Sequence, residues 1–254
     1  MRHAAKLLSL VILLALSGCF EKEVFSEVPL LSFDDVVFID APNDGPNRAV
    51  DTLIVTFSFE DEGGDFGLDP SLDVGPPHHI FDGVFDSLEN VVTINGSGYT
   101  PPFYSIPIGL FNTNEGAQYF YFPDSAELIG NTISPPPYNC DEYLIIENDT
   151  IYGKQNPFYN NFFVIIERKI GEDEYEPLLV DPCAPGFNGR IPVFDPEGKE
   201  GQIVWKQTTN TLRLTLGDDI WRVRIYVYDR SLNKSNEVFS QDFIITDITQ
   251  KIAG

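Results

Sequence analysis

Strict alternation of apolar and polar side chains is the feature that most restricts this chain. Leu53, Val55, Phe57 and Phe59 alternate with Thr52, Ile54, Thr56 and Ser58, and Trp221, Val223, Ile225 and Val227 alternate with Arg222, Arg224, Tyr226 and Tyr228. Leu212, Leu214 and Leu216 alternate with Thr211, Arg213 and Thr215. Successive side chains of a strand point to opposite faces, so a period of two with one apolar face demands half-buried antiparallel strands. Phe162 to Ile166 is apolar throughout and fits a strand covered on both sides. With 19 Pro and 20 Gly as punctuation, and no long amphipathic helix past the first 18 residues, the chain reads as all-β.

Strands are expected near 35–40, 51–60, 159–170, 175–180, 200–206, 210–216, 220–229 and 236–247. Seven or eight strands joined by tight turns suggest an antiparallel β-sandwich of immunoglobulin or fibronectin type. About a hundred residues separate the second strand from the third, too many for a structureless loop in a compact domain. Val91 to Ile94, Ala117 to Phe122 and Tyr143 to Tyr152 are candidates for short strands there, between Pro-rich joints at 76–77, 101–102 and 135–137. The expected organisation is a signal segment at 1–18, a tether at 19–32, and a sandwich over 33–250 with an elaborated insertion at about 63–157. Two successive domains meeting near 135 are the rival reading.

The first residues carry an address. Arg2, His3 and Lys6 precede an apolar run from Leu7 to Leu16, and the small residues Ser17 and Gly18 precede Cys19. Ten apolar residues are too few to span a bilayer, which takes about 20, so the layout is that of a cleaved secretory signal. Leu16-Ser17-Gly18-Cys19 looks like a lipobox, in which the Cys19 thiol is diacylated and becomes the mature N-terminus. A single acyl chain binds membranes only marginally, and the several chains of such an anchor make attachment stable. The stretch from Cys19 to Phe33 reaches roughly 45 Å when extended, long enough for a tether. Phe20-Glu21-Lys22-Glu23 is either a solvated spacer or a counterpart of the acidic signal it resembles, which sends Bacteroidota lipoproteins to the cell surface.

Removing the first 18 residues, which hold two of the 16 Lys+Arg and none of the 39 Asp+Glu, leaves a net charge of −25. Such a body repels nucleic acid and anionic headgroups, so neither is a partner of the folded part. At 43% hydrophobic it still buries a sizeable core. Besides Cys19 the cysteines are Cys140 and Cys183, which in an oxidising envelope form one disulfide or stay as two buried thiols. A disulfide closing that loop is worth about 4 kcal/mol on the chain-entropy model.

Few residues suggest chemistry. Glu60 to Asp65 sets carboxylates around Gly63 and Gly64, the oxygen-rich, sharply turning kind of segment a Ca²⁺ ion uses. In an immunoglobulin-type sandwich this loop and the last hairpin share a pole, which would place Asp61 and Asp65 near Asp229 and Asn233. The alternative is a glycine turn with solvated acids. His78-His79 make a poor metal pair, because neighbours on an extended chain point apart, and read as a loop histidine pair. Gly96-Ser97-Gly98 lacks the spacing of a nucleophile elbow and fits a hairpin turn. Four Asp-Ser/Thr-apolar triplets, centred on Thr52, Ser87, Ser125 and Thr150, resemble the O-glycosylation acceptor of Bacteroidota. Tyr99, Phe103, Tyr104, Tyr119, Phe120, Tyr121 and Phe122 crowd the insertion, either as an exposed platform for sugar rings or as a subdomain core.

The lipobox, Phe59 to Leu68, Tyr138-Asn139-Cys140, Phe187 to Arg190 and the hairpin from Asp229 to Asn236 together resemble an uncharacterised group of Bacteroidota outer-membrane and surface lipoproteins with an Ig-like β-sandwich. The resemblance implies location and fold and is silent on chemistry. Related chains carry an Asp-x-Asp-Gly-Asp-like loop, from which Glu62 and Gly63 depart. The expected function is that of a lipid-anchored, non-enzymatic binding or accessory subunit of the cell envelope, surface-exposed or periplasm-facing, with an envelope protein as partner. The alternative is a carbohydrate-binding lipoprotein that uses the aromatics of the insertion. Apart from Ca²⁺ no cofactor is expected.

Overall fold

The computed structural model describes residues 26–40, 51–68, 75–113, 116–133, 143–146, 149–178, 186–193, 199–209 and 212–251. In chain order the strands are β1 (Leu30–Asp40), β2 (Asp51–Glu60), β3 (Phe81–Phe85), β4 (Phe103–Thr113), β5 (Gly116–Tyr121), β6 (Glu127–Gly130), β7 (Tyr143–Ile146) and β8 (Asp149–Gln155). They continue as β9 (Phe162–Lys169), β10 (Tyr175–Pro177), β11 (Glu200–Thr209), β12 (Trp221–Val227), β13 (Val238–Phe239) and β14 (Thr249–Lys251), with helix α1 (Leu212–Leu216) before β12. The protein is all-β.

Two four-stranded sheets, ordered β11-β2-β1-β14 and β10-β9-β12-β13, enclose the main core. The alternating residues of the sequence form its two walls. Leu53, Val55 and Phe57 from β2 and Val223, Ile225 and Val227 from β12 are wholly buried, while the residues between them stay partly exposed. Phe57 stacks on Phe162 across the gap at 5.4 Å between ring centres, tying the sheets together. β1 runs antiparallel to β2 with a bulge between Phe33 and Asp35, and β14 runs parallel to the far end of β1, beside Phe38 to Asp40.

Two expectations fail within the sandwich. The segment 210–216, expected as a strand, contains helix α1. Leu212 and Leu216 are buried and Leu214 is 84% exposed, which is the i, i+4 pattern of one helical face. Gly217 ends the helix at φ +55°, and its N–H donates to the Arg213 carbonyl at 3.1 Å. The segment 236–247, also expected as a strand, holds only the two residues of β13 and a single bridge from Phe243 to Trp221. The cause lies in two serines. Ser240 Oγ accepts the Val223 N–H at 2.8 Å and Ser235 Oγ accepts the Val227 N–H at 3.0 Å, so hydroxyls replace backbone partners along β12.

The residues between β2 and β9 build a sheet of their own. Its order is β5-β4-β3-β8-β7, with β6 added on β4, and the β3–β8 pairing joins segments on either side of position 135. Phe81, Ile108 and Ile151 form one small core, and Val84, Val92 and Phe103 another. Strands β3 and β4 were not foreseen, and Val91 to Ile94 makes isolated bridges through Val91 and Thr93 in place of a strand. The link from β3 to β4 turns on Asp86, which accepts the backbone N–H groups of Leu88, Asn90 and Thr100. Desolvation alone would raise its pKa, but the bonds from Thr100 and Asn90 outweigh that and draw the carboxyl down to about 2.

Candidate acidic pole and the joint to the insertion

The loop leaving β2 and the hairpin following β12 meet at one end of the sandwich. Gly64 takes φ +65°, a left-handed conformation that glycine adopts without penalty, and this folds the loop back on itself. Asp61 Oδ1 then accepts the Gly63 N–H at 3.2 Å, and Oδ2 accepts the Asp65 N–H at 3.1 Å. In the hairpin, Asp229 accepts the Asn233 N–H at 2.7 Å and the Asn233 side-chain amide at 2.8 Å. Ser231 Oγ donates to Asp65 at 2.6 Å, and the Arg230 guanidinium donates to the carbonyls of Gly64 and Gly67. The four residues singled out as cation ligands therefore do come together. Their oxygens are largely turned onto protein donors, and among the described residues no three His, Cys, Asp or Glu side chains are set to hold a metal ion.

Asp61 and Asp229 are both fully buried. Burial raises the pKa of Asp61, and the neighbouring Asp65 adds to it, more than its two backbone bonds offset. Burial likewise raises that of Asp229, against the bonds from Asn233, with Asp65 adding to the rise. An acid held above its ordinary value of 3.8 binds protons more tightly folded than unfolded. Stability from this pair therefore falls as pH rises past that value, and the cost is fully present above the folded pKa. Asp229→Asn keeps both bonds to Asn233 if that amide turns over, and removes one charge. Thermal melts should show the variant at least as stable as the parent at pH 7, with a smaller difference between pH 7 and pH 5. A loss of more than a few degrees at pH 7 would show the charge to be needed.

A second polar cluster, not foreseen from the sequence, fastens the insertion to the sandwich. His78 and His79 lie in the loop ahead of β3, as expected of a loop pair, and both are buried there. The two rings have separate partners. The His78 ring lies between two backbone carbonyls, Phe158 at 3.0 Å and Arg230 at 3.2 Å, and so bridges the insertion to the last hairpin. His79 Nε2 meets Asp82 at 2.6 Å, and its other nitrogen faces the Asn156 amide at 3.3 Å. The Asn156 amide also donates to the carbonyls of Pro77 and His79. Among the described residues no hydroxyl or thiol is bonded to His79. Asn161 donates to the Phe66 carbonyl at 3.2 Å and accepts the Ile191 N–H at 2.9 Å, while Arg190 donates to the carbonyls of Tyr159 and His78. Nothing in a lone Asn or His signals this role. The cue available was Arg190 within Phe187 to Arg190.

The aromatics of the insertion divide between core and surface. Phe103 is buried, and Tyr99 is half-buried with its hydroxyl on Thr93, so both serve packing. Tyr104, Tyr119, Phe120 and Phe122 are half-buried, and Tyr121, at 38% exposed, stands edge-on to Phe85. Of the triplet hydroxyls, Ser87 and Ser125 are exposed, whereas Thr52 and Thr150 lie half-buried in β2 and β8. Cys19, Cys140 and Cys183 lie outside the described residues. No family model matches the chain, and no curated protein or solved structure matches it.

Proposed function

We propose that this chain is a lipid-anchored lipoprotein of the outer membrane or cell surface, and that it works by contact, as a non-enzymatic binding or accessory subunit of an envelope assembly. The observation that carries the reading is the joint just described. The added sheet is joined to the sandwich by hydrogen-bonded side chains, the His78 ring on the Arg230 carbonyl and Arg190 on the His78 carbonyl, which favours one orientation of the sheet. The chain also enters the sandwich at that pole, where the Ser26 carbonyl accepts the Glu62 N–H at 2.9 Å. A lipid on Cys19 would then hold this end toward the membrane. We read the sandwich as immunoglobulin or fibronectin type. That reading is supported by β1, β2 and β11 in one sheet and β9, β10, β12 and β13 in the other, with the insertion placed between the second and third strands.

Two measurements test the proposal. Cells fed a labelled fatty acid should label the protein, and Cys19→Ala should abolish the label and release the protein from the membrane fraction. A tag after Gly254 should be shaved from intact cells by protease and should retrieve an envelope protein under gentle extraction. A protected tag on a protein that purifies alone would overturn the accessory reading. Intact mass of the same preparation tests sugars at Thr52, Ser87, Ser125 and Thr150. Calorimetry tests Ca²⁺ at Asp61, Asp65, Asp229 and Asn233, and absence of heat at millimolar concentration removes it.

A further inference from the structure

One side of β1 is left open along the seam of the sandwich. Both the N–H and the C=O of Leu31 are taken by the Asn236 side-chain amide, at 2.7 and 2.9 Å, in the way a neighbouring strand would take them. At the other end, Phe38 donates to the Ile248 carbonyl at 2.9 Å as β14 begins. Residues two apart on a strand direct their backbone groups to the same side, so Phe33 faces the same way as Leu31. Between these clamps the only bond on this side among the described residues is local, from the Val36 N–H to its neighbour Asp35 at 2.9 Å. Here a groove of about 540 Å³ opens between β1 and the chain from Phe239 to Ile248.

Its lining has two parts. Phe33, Val36 and Ile248 are partly buried on the main core, and Phe239, 41% exposed, forms the opposite wall. Asp34, Asp35, Asp242 and Asp247 supply the acids. Among the described residues only Asp242 has a cation, Lys169 at 2.7 Å; Asp34 is held by the neutral donors Ser58 and Gln202. The groove is thus apolar within, with four acids at its rim against Lys169 and the Arg222 guanidinium that lies over the Phe239 ring at 4.5 Å, and it offers strand backbone along one side. A second copy of this chain does not suit it, because the chain carries a net charge of −23 and would bring carboxylates to carboxylates.

We infer that this groove docks an extended segment of a partner protein in which aliphatic residues alternate with Lys or Arg. Alternation suits it because one face of an added strand would meet the apolar lining while the other meets the carboxylates, and Phe33 would supply backbone bonds. The inference stands whether or not Cys19 is acylated, since the groove belongs to the sandwich alone.

The test uses the full-length protein in mild detergent and a fluorescein-labelled pentapeptide alternating lysine and valine. Fluorescence anisotropy should show saturable binding at one site, and added peptide should slow amide exchange at Phe33. Asp35→Asn with Asp247→Asn should weaken binding about tenfold, the scale of a lost charge-assisted contact. Asp124→Asn with Glu127→Gln, which removes the same charge from the exposed surface of the insertion, should leave it unchanged. A peptide with glutamate for lysine should not bind, and this arm leaves the protein untouched. Equal weakening by both double variants would reduce the effect to bulk charge and overturn the inference. So would unchanged exchange at Phe33, or an absence of saturable binding.

Discussion

Asn161→Ala is expected to lower the stability of the protein by about 2–6 kcal/mol, since each of two buried backbone groups loses a partner worth about 1–3 kcal/mol. Those groups are the Ile191 N–H and the Phe66 carbonyl, both served by the one side-chain amide. The backbone of Asn161 is engaged as well: its N–H donates to the Gly189 carbonyl and its carbonyl accepts the Tyr228 N–H. The residue thus sits where the returning end of the insertion meets the last hairpin. Denaturant unfolding gives the loss, and limited proteolysis shows where it falls, with cleavage expected first in the insertion and at its root. A midpoint within experimental error of the parent would mean that water replaces the amide without cost and that the joint does not hold the insertion.

Trp221→Ala should cost about 3–5 kcal/mol, the usual range for removing a large aromatic from a core. The ring is 3% exposed, and its Nε1 donates to the Leu216 carbonyl at 2.9 Å. It therefore fills the core and also secures the end of α1. Trp221→Phe separates the two roles. It keeps most of the packing and strands the carbonyl, so it should cost about 1–3 kcal/mol. The chain has two tryptophans, so Trp205 remains as a fluorescent reporter of unfolding in both variants. If the two substitutions cost the same, the bond to Leu216 matters more than the ring volume.

Which elements were legible follows from how long a pattern each presents. β2 and β12 carry alternation over seven or more residues, and a helix cannot keep that pattern on one face. Leu212 to Leu216 carries it over five, where apolar residues at i, i+2 and i+4 suit a strand and i, i+4 suits a helix equally well. Only the surroundings decide, and they expose Leu214. β13 failed for the opposite reason. Its apolar residues are genuine, but Ser235 and Ser240 compete with the backbone for the amides of β12. β3 and β4 contain Gly83, Gly109 and Pro107, residues that lower any strand expectation, and they hold by cross-strand register. At the acidic pole the gathering of Asp61, Asp65, Asp229 and Asn233 could be foreseen because strand order places loops. The occupation of their oxygens by local amides could not, since it depends on how Gly64 turns the chain.

The placement of β1 has a mechanical consequence. Its ladder to β2 runs from Leu30↔Glu60 to Ile39↔Thr52, with one shift of register at the bulge between Phe33 and Asp35, and the chain enters it at Leu30. Tension arriving from that side acts along the strand, across hydrogen bonds that lie perpendicular to it, so the bonds of the ladder share the strain and must slip together. β14 runs parallel to β1 beside Phe38 to Asp40, at the end of the strand away from Leu30, and adds bonds to the ladder there. Forced unfolding is set by how fast the native state yields. A chain threaded in this way resists a tug in shear, where a strand peeled from its end would give way one bond at a time.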